Sequence, residues 1–164
     1  MQTKTTTKSA ALLSEDQWNL PEGVEKFSEG HVYFAKRVGY HQGFAEGVEQ
    51  EKKEIDNRIQ NNLIVAGVDT SKLVNAMREI GVTPLSANLK VVSESSLRVL
   101  VTVSDEDFLK EDFLKIYSIA REIQDNSKTE VYSIYFSFVN RSPSFDAELV
   151  ELDGFTYSYK PLTK

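Results

Sequence analysis

Leu97-Arg-Val-Leu-Val-Thr-Val103 runs directly into Ser104-Asp-Glu-Asp-Phe-Leu-Lys-Glu-Asp-Phe-Leu-Lys-Ile-Tyr-Ser-Ile-Ala-Arg-Glu-Ile123, and this junction decides the fold. In the first seven residues Leu97, Val99, Val101 and Val103 share one face, opposite Arg98, Leu100 and Thr102. That is the two-residue period of a β-strand. At Ser104 the period changes. Leu109, Phe113, Ile116, Ala120 and Ile123 recur at steps of four and three, which predicts an amphipathic helix with this face buried. The Ser104 hydroxyl is placed to cap it, with Asp107 at the capping-box position. Asp105, Glu106 and Asp107 suit the positive end of a helix dipole and Arg121 the negative end, while Glu111, Asp112 and Glu122 lie off the apolar face.

The flanking segments extend this pattern. Leu89-Lys-Val-Val-Ser93 precedes the strand across a short polar turn, which predicts a hairpin. Val131 to Val139 predicts a third strand, with Tyr132, Ile134, Phe136 and Phe138 on one face. Asn140-Arg-Ser-Pro-Ser144 turns the chain. Residues 145–153 alternate weakly, but Phe145, Leu149 and Leu152 fit helical spacing, with Ser144 as cap and Gly154 as stop, so a short helix is favoured. Phe155-Thr-Tyr-Ser-Tyr159 predicts a last strand. The expected fold class is α+β: an N-terminal helical arm or hairpin, then a small, mostly antiparallel β-β-α-β-(α)-β sheet covered by an amphipathic helix.

The first half carries a helical pattern from Ser28 to Val65, free of proline and rich in Glu, Lys, Gln and Ala. Val38, Ala45, Val48, Ile55 and Ile59 form one stripe, interrupted by His41, Lys52 and Asn62. A continuous helix of this extent would span roughly 50 Å, which suggests an arm, a hairpin, an oligomer contact or a break near the glycines. Gly67 reads as a helix C-cap, with Asp69 or Thr70 capping a second helix over Ser71 to Ile80. Gly81 ends that helix and Pro84 follows. The expected organisation is a flexible tail and anchor over 1–27, with Trp18 as the anchoring aromatic, a helical region over 28–81, and an α+β domain over 88–164.

Composition removes several functions. The 164 residues contain no cysteine, so disulfides, thiolate metal sites and cysteine nucleophiles are absent. No apolar stretch is long enough for a bilayer span, and the run Ala10 to Leu13 is too short for a signal peptide, so a cytoplasmic location is expected. The net charge is −6. Residues 1–103 hold 13 acids and 12 bases, whereas 104–164 hold 12 acids and 7 bases, an unfavourable balance for binding phosphate backbones.

Chemical motifs are sparse. The only histidines, His31 and His41, sit ten residues apart without metal-ligand spacing. The carboxylate clusters Asp105-Glu-Asp107 and Glu111-Asp112 read as helix-end charges on a solvated face. Neither a cofactor nor a metal is expected. The unusual feature is Gly39-x-x-x-Gly43-x-x-x-Gly47, which lacks the strand context of a phosphate loop. Each glycine inside a helix costs about 0.5–1 kcal/mol relative to alanine. Glycines four apart cut a groove, and Tyr40, Phe44 and Val48 form the ridge beside it. The segment Tyr40-His-Gln-Gly-Phe-Ala-Glu-Gly-Val-Glu49 resembles the glycine-repeat helices of flagellar export regulators and the Gly-Glu-rich tails of transposase-related nucleases. The resemblance covers only that segment, and no function is carried over from it.

The leading expectation is a non-enzymatic interaction or assembly module, self-associating or binding another protein through Gly39, Tyr40, Gly43, Phe44, Gly47 and Val48. The competing reading of the glycine row is packing against the protein's own core. A second expectation is a nucleic-acid-associated regulator using Lys72, Asn75 and Arg78 on the helix pair around 55–80. A carboxylate-dependent enzyme is the least favoured. No membrane partner is expected.

Overall fold

A computed structural model describes Trp18–Asn19 and residues 45–160, with side chains from 47 onwards. The elements are β1 (Trp18–Asn19), α1 (Ala45–Glu79), β2 (Ser86–Ser93), β3 (Ser96–Val103), α2 (Asp105–Phe108), α3 (Phe113–Ser127), β4 (Ser133–Asn140), α4 (Ala147–Leu152) and β5 (Tyr157–Tyr159). They form an α+β fold around one sheet, in the order β1-β5-β2-β3-β4. The β2–β3 hairpin has Leu89 opposite Val99 and Val91 opposite Leu97. β5 pairs antiparallel with β2 and with β1, while β4 runs parallel to β3. The sheet is therefore mostly antiparallel, with one parallel pair that requires a helical crossover.

The alternation read in β3 sorts the two faces. Ala87, Leu89, Val91, Leu97, Val99, Val101 and Ile134 point into the core, where they meet Ile55, Ile59, Leu63, Leu73 and Met77 of α1 and Phe113, Ile116 and Ala120 of α3. Hence α1 and the sheet share one core. The connection through α4 takes the opposite face: Lys90, which alternates with Leu89 and Val91, donates to the Asp153 carbonyl and lies over the Phe155 ring. The crossover through α3 leads outward from β3 to β4, whereas the one through α4 leads back from β4 past β3 and β2 to β5. Right-handed crossovers running in opposite directions must lie on opposite faces.

α1 differs from the sequence expectation. Gly67 does not cap a helix; it is a buried residue inside a single helix of 35 residues. The reason is packing. Leu63, Ala66, Thr70, Leu73, Val74 and Met77 form an uninterrupted buried stripe across Gly67, and this burial outweighs one glycine's preference for a cap. The expected helix pair is thus one helix. Its real stop is Gly81, at φ +78°. There the Val82 N–H reaches the Met77 carbonyl and the Gly81 N–H the Arg78 carbonyl, the paired bonds of a Schellman cap. Gly154, at φ +95°, closes α4 with the same two bonds, from Phe155 to Val150 and from Gly154 to Glu151.

The helix expected from Ser104 to Ile123 is also revised, because it is two helices. Ser104 caps α2 through the Asp107 N–H at 3.0 Å, as expected. The chain then turns over Leu109 to Asp112 and restarts as α3. Leu109, assigned to the buried face by its spacing, is 82% exposed. Residues 147–152 are helical, as favoured, although the cap is Asp146 rather than Ser144. Residues 82–87, between the expected helical region and the expected α+β domain, contain the buried Val82 and the start of β2.

Candidate functional site

Of the six residues singled out in the glycine row, Gly39, Tyr40, Gly43 and Phe44 lie outside the described residues, as do His31 and His41. Gly47 and Val48 lie in the first turn of α1. Gly47 is exposed, and a Cβ built on it would meet nothing within 4 Å among the described residues. Val48 is half-buried, and Glu49 and Gln50 are exposed. The helix here is braced by its own side chains: Gln50 Nε2 donates to Glu54 Oε1 at 3.1 Å, and Lys53 lies 3.9 Å from Glu49. The first core residue on α1 is Ile55. Nearly three turns of helix therefore precede the first fully buried residue among those described. α1 spans about 52 Å at 1.5 Å per residue, twice the roughly 26 Å of an eight-residue strand, so the sheet cannot cover its whole length.

Further along, α1 is pinned by polar groups that the sequence pattern did not reveal. Asn62 interrupts the apolar stripe, and its Nδ2 donates to the carbonyls of Glu94 at 2.7 Å and Val131 at 2.8 Å. One amide thus ties α1 to the β2–β3 turn and to the approach to β4. Arg58 adds an ion pair to Glu94 at 3.0 Å. Asp69, 1% exposed, accepts from the Tyr132 hydroxyl at 3.1 Å and from Lys72 at 2.9 Å. Burial first, then the Asp69 charge and hydrogen bond, raise the Tyr132 pKa far above the usual phenol value. Burial alone raises Tyr157 to about 12. Both hydroxyls stay protonated at neutral pH, which lets Tyr132 donate to Asp69. The Thr70 hydroxyl is buried beside them without a partner among the described residues.

Lys72, Asn75 and Arg78 are all exposed on one uninterrupted helix, with no turn to present a recognition helix. The Lys72 charge is engaged by Asp69. Arg78 borders a small cavity of about 110 Å³, walled by Val74, Leu85, Ala87 and Tyr159, which neither Lys72 nor Asn75 reaches. The acids are dispersed. Among the described residues no three acids or histidines gather where a metal ion could bind. Asp105 accepts from Asn140, Asp107 pairs with Lys110, and Asp112 pairs with Lys115. The Lys110 hydrogen bond, joined by the Thr83 N–H, holds the Asp107 carboxyl below its ordinary pKa.

One surface escaped the sequence reading. Leu109 and Leu114, the latter 72% exposed, flank an aromatic cluster at the α2–α3 corner. Phe108 packs against Phe113 at a tilt, with centroids 4.9 Å apart, and Tyr117 packs edge-on against Phe138 at 5.1 Å. The available signal was the repeated acidic start, Asp105-Glu-Asp107 and then Glu111-Asp112, which marks two helix N-termini rather than one.

Comparison with family models, with characterised proteins and with solved structures finds no match. No helix among the described residues is long and apolar enough to cross a membrane.

Proposed function

We propose that the protein is a non-enzymatic assembly module that pairs the amino-terminal turns of α1 with the same turns of a second copy. The observation carrying this reading is Gly47. It sits inside a helix at a cost, yet its missing Cβ admits no neighbour from its own chain among the described residues. A helix glycine that no described side chain packs against leaves that face open to close approach by another helix. Val48 supplies the apolar ridge beside that open face.

Sedimentation velocity on the wild type, Gly47→Leu and Val48→Asp tests the proposal. The wild type should sediment as an oligomer, and both variants should shift to the single chain with unchanged circular dichroism. Unchanged sedimentation of both variants would refute it.

A further inference from the structure

We infer that the α2–α3 corner is a docking surface for a basic amphipathic segment of a different protein. This surface is separate from the amino-terminal turns of α1. It is apolar where it ought to be polar: Leu109 is 82% exposed, Leu114 72% and Tyr117 46%. Scattered exposed leucines are common, but these adjoin a ring cluster that continues through Phe113 to Phe138, at 5.6 Å, on the outermost strand. The turn over Leu109 to Asp112 creates the exposure. An unbroken helix would have placed Leu109 on the buried face with Phe113. The turn contains neither glycine nor proline, so local backbone preference does not demand it.

The corner is also held still. Lys110 bonds both Asp107 and the Gly81 carbonyl, at 3.1 Å for the latter. The Thr83 N–H reaches Asp107 at 3.3 Å, and Asn140 bonds Asp105. These contacts tie α2 to the loop after α1 and to the end of β4. An apolar patch fixed in this way loses little freedom on binding.

Charge selects the occupant. Residues 105–115 carry five acids and two lysines, and both lysines already pair with Asp107 and Asp112. A second copy docked symmetrically would set this acidic rim against itself, which is repulsive. A segment with an apolar face flanked by lysine or arginine satisfies both the leucines and the rim. Strand addition to β4 is disfavoured, because Gln124 Oε1 already accepts the Phe136 N–H at 2.8 Å. The occupant therefore lies across the corner as a helix lies in a groove.

The test uses a synthetic amphipathic Leu/Lys helix, a Leu/Glu helix with the same leucines, and a Ser/Lys peptide with the same lysines. Each is titrated into the isotope-labelled full chain and followed by amide chemical shifts. The Leu/Lys peptide should shift residues 108–117 and Phe138 selectively and weaken with salt, and the other two should not bind there. Leu109→Ser with Leu114→Ser should weaken binding by about tenfold or more, as loss of central apolar anchors does. Leu149→Ser with Leu152→Ser, on the exposed face of α4, should leave it unchanged. Three results would overturn the inference: equal binding by the Leu/Glu peptide, shifts spread over the whole surface, or an oligomeric state that changes in the Leu109/Leu114 variant, which would make the occupant a second copy.

Discussion

The two ends of α1 obey different rules. From Ile55 to Met77 nearly every inward position is buried, and the polar interruptions Asn62 and Asp69 each find specific partners. From Gly47 to Glu54 no described residue of the same helix is fully buried, and its described side-chain pairs run within the helix. One element thus walls the core at one end and, among the described residues, buries no side chain fully at the other. A helix without a buried face gains little from tertiary packing, so the latter end depends on propensity and local pairs, or on a partner.

The largest effect should come from removing core contact at the embedded end. Leu73→Ala opens a cavity at a fully buried position and should destabilise the fold by about 2–5 kcal/mol, read by denaturant unfolding. Asn62→Ala should follow. It strips the part-buried carbonyls of Glu94 and Val131 of a donor and should cost about 1 kcal/mol or somewhat more. If that cost were negligible, the view of Asn62 as a pin would be wrong. Gly47→Ala should have the opposite sign in the dissociated single chain, stabilising the helix by about 0.5–1 kcal/mol because no neighbour among the described residues stands in the way. At concentrations where the chain assembles, the same substitution should weaken the assembly, because the second helix approaches at Gly47.

The smallest effect concerns the α2 corner. The folded-state pKa of Asp107 is depressed below 3.8, so its contribution to stability is complete above pH 3.8 and is lost as pH falls through the folded value. Asp107→Asn should therefore flatten the stability profile below pH 3.8 and barely change its shape above it. Partial exposure and solvent screening keep the effect small.

Much of the sheet was legible because alternation in β3 and β4 is strong and each strand buries one face. The parallel pairing of β4 with β3 was not, since pleat period carries no direction. Gly67 misled because its signal is local, whereas the buried stripe on either side of it acts along the whole helix. Leu109 misled for a related reason: spacing alone cannot register a turn made without glycine or proline. Of the candidate site, Gly47 and Val48 were legible as oddities of composition. The α2–α3 surface was not, because the residues that form it read equally well as core.

The account stands most directly on the mass of the protein in solution. Light scattering across a concentration series should give a mass that rises above the 18.6 kDa of one chain and returns to it in Gly47→Leu. A mass of 18.6 kDa for the wild type at every concentration would contradict the assembly proposal and leave the first turns of α1 without a second copy to meet.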